Sequence, residues 1–260
     1  MKRNVSLILK SLCITILCLC AFCLRVQWIY INNVVVYEKV DIYDSDYFQY
    51  AFLSELNPKW DQNDDSIAIV GLTKLGEEQE VLHVPQKIDG HSVKIVGVEQ
   101  FYYLKDGVEK VYKDYPINFT KKIKKLFVYD NVISIDSVSN AGECDLMMAS
   151  VNIYKYSMIY AFQNMYVYGS VVDKFKLNVT HTKAANVVFM NNYPGIIDSG
   201  YYGLDYTYDG HRIEKLLDPE LEGYQFTGWF TEPECINEWD FNQVPVIDEE
   251  FILYAGWDAL

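Results

Sequence analysis

The side chains best suited to catalysis or metal binding are sparse in this chain and far apart. Its four histidines stand at positions 83, 91, 181 and 211, and none has a second histidine within helical spacing. Zinc sites need clustered His and Cys ligands, and a nucleophile needs a nearby base. Because neither arrangement is visible, we predict a protein that is not an enzyme, with no catalytic residues, no metal site and no cofactor.

Two cysteines, Cys144 and Cys235, lie outside the N-terminal segment. Two lone cysteines make neither a zinc site nor a disulfide framework. We therefore expect two separate structural thiols, and a disulfide between them is the alternative.

The other stretch able to do chemistry is residues 223–241, GYQFTGWFTEPECINEWDF, which is rich in aromatic side chains. Such a stretch can form a folding core or a platform that binds sugars. Tyr224, Phe226 and the ring of Trp229 can fall on one side of a strand bent at Gly228. Residues 252–257 alternate in the manner of a second strand. We predict a small β module with an aromatic core, and the sugar-binding platform is the alternative.

The composition indicates a folded, acidic and β-rich protein. Half of the 260 residues are hydrophobic and 22 are tyrosines, which favours strands over disorder. The formal net charge is −14. Because a surface of that sign repels polyanions, we predict no binding to nucleic acid.

The N-terminus differs from the rest of the chain. Basic residues flank the uncharged apolar run SLCITILCLCAFCL at positions 11–24. We predict that residues 1–25 are a signal peptide or an uncleaved membrane anchor, so that the remainder is exported and touches a membrane only through this segment. Loss of its four basic residues takes the net charge from −14 to −18. We interpret residues 26–64 as a spacer, in which Tyr47–Leu56 could form a short helix.

From about residue 65 a repeat is visible. Residues 123–133 fit the leucine-rich pattern L-x-x-L-x-L-x-x-N-x-L, and residues 162–172 fit it with Ser in place of Asn. Weaker copies start at Leu82 and Val187. The fourth-position residues of the four copies are then 82, 126, 165 and 187, close to multiples of 22 residues apart. A candidate copy at Val151–Ile153 breaks this phase. The pattern predicts stacked strands that align four residues in adjacent rungs: Leu82, Leu126, Met165 and Val187.

Within each predicted strand, the residues one and three positions after the rung residue would point away from the repeat core. They form two predicted rows: His83, Phe127, Tyr166 and Val188, then Pro85, Tyr129, Tyr168 and Met190. Exposed aromatic rows often mark contacts. We predict that five of these residues bind a partner: His83, Phe127, Tyr129, Tyr166 and Tyr168. The alternatives are that the rings only stabilise the sheet or that they pack under the C-terminal module.

Two segments resemble known families. VLHVPQKIDGHSVKIVGVEQF resembles the BspA-like leucine-rich repeats of bacterial surface proteins, and YTYDGHRIEKLLDPELEGYQFTGWFTEPECINEWDF with the later ILYAGW resembles the Listeria–Bacteroides repeat, a β-grasp-like module. The units between 102 and 160 are degenerate and carry an insertion. The resemblance implies a mainly β or α+β chain, with an irregular leucine-rich-repeat solenoid at 65–192 and a small β-grasp-like domain at 193–260.

The resemblance also implies a function. These families are associated with attachment to host proteins, other bacteria or matrix. We therefore expect a bacterial cell-surface or secreted protein that attaches to a protein or glycan on host or neighbouring cells. Its location would be extracellular or at the cell surface, tethered to the cytoplasmic membrane if the leader is retained. The alternative is a structural spacer of the cell envelope without a specific ligand.

Overall fold

The computed structural model describes residues 36–37, 40–57, 59–99, 101–105, 108–112, 114–150, 153, 158–176, 180–208, 210–247 and 250–260. The predicted leader, residues 1–25, lies outside these ranges. The chain divides into a smaller unit, residues 1–39 with 100–113, and a larger unit, residues 40–99 with 114–260. Within the described ranges, no helix has the length and apolar composition needed to cross a membrane.

Short strands account for most of the regular structure. Within the described residues, the α-helices are α1 (Leu53–Leu56), α2 (Lys74–Glu77) and α3 (Val172–Lys176), and 3-10 turns occupy Ala141–Glu143, Met158–Ala161 and Gly169–Val171. The strands are β1 (Val36–Tyr37), β2 (Tyr43–Asp44), β3 (Phe48–Phe52), β4 (Ile67–Leu72), β5 (Val81–Val84), β6 (Lys87–Ile88), β7 (His91–Val96), β8 (Phe101–Lys105), β9 (Val108–Tyr112), β10 (Ile117–Asn118), β11 (Lys125–Val128), β12 (Ser134–Ile135), β13 (Val138–Ser139), β14 (Asp145–Met148), β15 (Asn164–Val167), β16 (Thr182–Ala184), β17 (Val187–Met190), β18 (Tyr201–Asp205), β19 (Tyr224–Phe230) and β20 (Phe251–Ala259).

The smaller unit contains one three-stranded sheet. Strands β8 and β9 form an antiparallel hairpin, and β1 pairs with β9 in parallel. The hairpin occupies part of the region in which the sequence indicates an insertion.

The centre of the larger unit is a parallel ladder of five strands in the order β16-β15-β14-β11-β5. Its register aligns Leu82 with Leu126, Leu126 with Leu146, Leu146 with Met165 and Met165 with Thr182. The first four of these side chains are almost fully buried. Each strand is too short to bury an apolar face alone, so stacking supplies the shared core. The predicted alignment of Leu82, Leu126 and Met165 along one column is confirmed.

One detail of the predicted column is wrong. Val187 is not a rung, since Thr182 follows Met165 in the ladder. Val187 instead lies in β17, which pairs with β18 and β20 in another sheet. The candidate copy at Val151–Ile153 includes residues 151 and 152, which lie outside the described residues. The rung between Leu126 and Met165 is β14, which ends at Met148. The pattern hides this strand because Glu143 and Val151 occupy the consensus positions of Leu and Asn.

The longest interval in the repeat also differs from the prediction. Leu82 and Leu126 lie 44 positions apart but pair directly as neighbours, so this interval is not two stacked units. The chain between them makes β7, leaves the larger unit at residue 100 and returns at residue 114. Long insertions cost little closure entropy, because that cost rises only with the logarithm of loop length.

A second sheet closes the other side of the repeat core. Its order is β12-β7-β4-β3-β2, with β6 paired to β7. Strands β4, β7 and β12 are parallel. The two sheets are joined by Asn131, whose Nδ2 donates to the carbonyls of Gln86 at 3.2 Å and Val93 at 2.6 Å. The consensus asparagine therefore satisfies backbone acceptors of the preceding turn of chain.

Residues 40–57, which we interpreted as part of a spacer, belong to this second sheet. Phe48 and Tyr50 of β3 are buried with the repeat core. The helix predicted over Tyr47–Leu56 is confined to Leu53–Leu56, because the preceding five residues pair with β4. The spacer interpretation is wrong for this range.

The C-terminal sheet has four strands in the order β18-β17-β20-β19. Strand β17 is parallel to β20, and the pairs β17–β18 and β19–β20 are antiparallel. The register shifts between Phe226 and Gly228, where Gly228 has a φ of 148°. The predicted bend at this glycine is confirmed. Trp229 is buried and meets Phe189 edge to face, with ring centroids 4.9 Å apart. The aromatic core predicted for this stretch is confirmed at Trp229.

Candidate contact surface

The predicted aromatic row lies on the face of the ladder that is turned away from the repeat core. Phe127 pairs in register with His83, and Met147 stands between Phe127 and Tyr166. The His83 and Phe127 rings are stacked with centroids 4.6 Å apart. The predicted row is therefore real for His83, Phe127 and Tyr166, although Lys183 takes the place predicted for Val188.

Three of the five predicted contact residues are closed to a partner. Phe127, Tyr129 and Tyr166 are only 1%, 1% and 4% exposed. They belong to one hydrophobic cluster with residues of the C-terminal module, among them Trp229 and Leu253. The prediction of an exposed aromatic contact face is therefore wrong, because the C-terminal module covers it. The alternative in which the rings pack under that module is the observed arrangement.

Tyrosine rings of the ladder face tyrosine rings of the module one by one. Tyr129 stacks on Tyr202 with centroids 4.7 Å apart. Tyr166 stacks on Tyr206 at 4.4 Å, and Tyr168 approaches Tyr201 at 4.9 Å. Stacked aromatic pairs add stabilisation beyond the area that they bury. Two stacked pairs and the tilted pair Tyr168–Tyr201 connect the repeat ladder to the module.

A buried ion pair reinforces the same junction. Lys125 Nζ donates to Asp205 Oδ1 at 2.8 Å and to the Tyr206 carbonyl at 3.3 Å. The Asp205 side chain is 0% exposed and that of Lys125 is 26% exposed. Asp205 also accepts the backbone N–H groups of Tyr206 at 2.7 Å and Glu214 at 2.9 Å. Sequence reasoning missed this pair, since the two residues lie 80 positions apart without a local signal.

The chain that follows β18 crosses the ladder near His83. The Tyr129 hydroxyl accepts the Leu217 N–H at 3.1 Å and lies 3.0 Å from His83 Nδ1. Burial, with a smaller contribution from Lys125, lowers the pKa of His83 to about 4. The ring is therefore neutral at pH 7, and its Nδ1 can accept a hydrogen bond from the Tyr129 hydroxyl. Burial also raises the pKa of Glu214, and the charge of Asp205 adds to the increase.

An open groove of about 960 Å³ runs beside β5. Its walls are the turn Asp44–Phe48, the segment Gln79–His83, the turn around Lys87 and the crossing segment at Glu214 and Leu217. Five carboxylates line it: Asp44, Asp46, Glu80, Asp89 and Glu214. Lys87 is the basic residue in this lining, and it pairs with Glu220 at 3.4 Å. Of the predicted contact residues, His83 reaches this groove.

The two cysteines are separate free thiols, as expected. Cys144 is buried in the repeat core, and burial raises its pKa to about 12. Cys235 is partly exposed and lies 3.5 Å from Asn192 Nδ2. Among the side chains that the structure describes, no three His, Cys, Asp or Glu residues are grouped to hold a metal ion.

Comparison with known proteins identifies the C-terminal segment. The sequence pattern of the Listeria-Bacteroides repeat domain matches residues 186–256. Two Evansella cellulosilytica proteins, provisionally named a membrane protein and a Gly-rich membrane protein, are 37% and 39% identical to this chain over 49 residues. That stretch is 19% of this chain and only 7% and 6% of those relatives. No solved structure matches the chain. Strand β17 falls inside the matched range, so residues 186–256 carry a Listeria-Bacteroides repeat that begins with Val187–Met190.

Proposed function

We propose that this chain is a bacterial cell-surface or secreted protein that attaches, without catalysis, to a protein or glycan on host or neighbouring cells. The observation that carries the proposal is the Listeria-Bacteroides repeat at residues 186–256. The names of the two relatives support a surface or membrane association. Tethering would come from the predicted leader at residues 1–25.

We further propose that the ladder is a short, irregular BspA-like leucine-rich solenoid. The column of Leu82, Leu126, Leu146 and Met165 supports this assignment. The hydrogen bonds of Asn131 to the preceding turn support it as well. For the C-terminal module, the strand order β18-β17-β20-β19 with parallel central strands supports a β-grasp-like assignment.

The covered aromatic row changes where attachment would occur. A partner cannot reach Phe127, Tyr129 or Tyr166 while the module is docked. Attachment would use the surfaces that remain accessible, and the open groove of about 960 Å³ beside β5 is one of them.

A spacer without a specific ligand is the second candidate. The observation that favours it is the junction itself, since aromatic pairs and the Lys125–Asp205 ion pair join the ladder and module into one block. A block of this kind could hold other envelope components apart without binding anything.

Binding of the purified full-length protein to immobilised host matrix and to other bacteria separates the two candidates. Attachment predicts saturable retention that resists competition by unrelated acidic protein. Retention no greater than that of the unrelated protein would contradict attachment and favour the spacer. N-terminal sequencing of the exported protein tests the leader, because a start beyond residue 25 indicates release and an intact start indicates a tether.

A further inference from the structure

We infer that the free edge of β5 is a docking site for an extended basic segment of a partner protein, which adds to the ladder as one more strand. The inference rests on the proposed attachment function and specifies the chemistry of the partner.

The backbone of β5 presents unused hydrogen-bonding groups to the groove. Strand β5 is the last strand of its sheet and pairs with β11 on one side. The Glu80 carbonyl accepts the Lys125 N–H at 3.3 Å, so the backbone of Glu80, Leu82 and Val84 faces β11. The N–H and C=O groups of Val81 and His83 consequently face the groove. No described residue forms a backbone hydrogen bond with either of them on that side.

The length of the usable edge is short and defined. Pro85 follows β5 and also lines the groove, but it has no N–H to donate. A bound strand would therefore pair with Val81 and His83, and its main-chain bonds would supply affinity while its side chains supply selectivity. The groove volume of about 960 Å³ is at the upper end of the usual range for ligand sites.

The charge around this edge selects the occupant. Five carboxylates line the groove, and the lysine among them is already paired with Glu220. Since the whole chain has a net charge of −14, the groove repels a second copy of the same protein. An edge with like charges nearby is a common protection against self-association. A segment rich in lysine or arginine, in contrast, complements the groove.

The lining is also mixed in polarity. It includes carboxylates, such as those of Asp46 and Glu80, and apolar groups of Val81, Pro85 and Leu217. Because successive side chains of a strand point to opposite faces, a bound segment can place basic residues on one side and apolar residues on the other. Alternating basic and apolar residues are therefore the expected sequence pattern.

The probe is a peptide of alternating lysine and valine, acetyl-KVKVKVK-amide, titrated into the full-length protein and followed by calorimetry. We expect saturable binding that weakens with salt, and amide hydrogen exchange that slows at Val81 and His83. The acidic analogue acetyl-EVEVEVE-amide should not bind. Of two peptides methylated on alternate backbone nitrogens, one should lose binding and the other should keep it, since only alternate N–H groups face β5.

Protein variants test the role of the groove carboxylates without changing Val81 or His83 of β5. The double variant Asp46→Lys with Glu80→Lys should weaken peptide binding by at least ~10-fold. The control Glu234→Lys reverses one charge at a residue outside the groove, and its effect should stay within ~2-fold. Circular dichroism of both variants establishes that they are folded.

Several results would overturn the inference: no peptide binding, equal binding of the acidic peptide, retained binding by both methylated peptides, or unchanged exchange at Val81 and His83. If the full-length protein still adheres to cells in those cases, the attachment proposal stands and only this site is wrong. If the peptide binds but adhesion is absent, the attachment proposal fails while the edge site remains.

Discussion

Removal of the Asp205 carboxylate should destabilise the junction between ladder and module strongly. In Asp205→Ala, Lys125 loses its charged partner, and the backbone N–H groups of Tyr206 and Glu214 lose their acceptor. Loss of one member of a buried pair costs roughly 3–5 kcal/mol. Lys125 is 26% exposed and can turn partly to water, so we expect about 3 kcal/mol, a large share of a typical total stability.

Urea unfolding followed by tryptophan fluorescence measures this loss, since Trp229 lies in the module core. Asp205→Asn keeps the size and one acceptor oxygen, so its cost should be smaller, about 1–2 kcal/mol. A double-mutant cycle of Asp205→Asn with Lys125→Met isolates the ion pair, and we expect a coupling of about 1–2 kcal/mol.

A matched exposed pair provides the control. Lys215 and Asp218 approach to 3.5 Å, but both side chains are more than half exposed. Asp218→Asn should change the free energy of unfolding by less than ~0.5 kcal/mol. A loss below ~1 kcal/mol in Asp205→Ala, or zero coupling in the cycle, would refute the reasoning that this pair fastens the module to the ladder.

Three further predictions follow from the buried side chains. Phe127→Ala should cost about 3–5 kcal/mol in urea unfolding, because it opens a cavity under the module, and an unchanged midpoint would contradict its burial. The pKa of His83 is lowered to about 4 in the folded protein, so between pH 6.5 and 4 the unfolded chain binds a proton that the folded chain does not. The free energy of unfolding should therefore fall as the pH drops through that window, by up to about 3 kcal/mol. His83→Gln should flatten this dependence, and an equally steep curve in the variant would contradict the assignment to His83. At pH 8 Cys235 should react with iodoacetamide well before Cys144, whose pKa of about 12 keeps it a buried thiol, and equal rates read by mass spectrometry would contradict the structure.

Local spacing was enough to find three rungs of the ladder. Leu82, Leu126 and Met165 follow a pattern that depends only on near neighbours along the chain, and Asn131 marks the turn that the same pattern requires. The repeat pattern did not predict strand β14, because Glu143 and Val151 occupy the consensus positions of Leu and Asn on either side of it. This strand is recognised by its pairing with β11 rather than by its own sequence.

The covering of the aromatic row was harder to predict, although one signal was present. Residues 125–129 read KLFVY, and Leu126, Phe127, Val128 and Tyr129 are all buried. A continuous apolar run of this kind is typical of a strand covered on both faces, whereas an open face would alternate. What covers the second face depends on β18, which lies more than seventy residues further along the chain, and a one-dimensional pattern does not contain that contact.

The position of β20 in the sheet sets an order of events during synthesis of the chain. This strand lies between β17 and β19, so the C-terminal sheet cannot close until residue 259 has emerged. Until then the module that covers Phe127 and Tyr166 is incomplete, and incompletely covered apolar surface promotes aggregation. A premature stop just before Phe251 would remove β20, so we expect a chain with an incomplete C-terminal sheet that aggregates rather than a shorter functional protein.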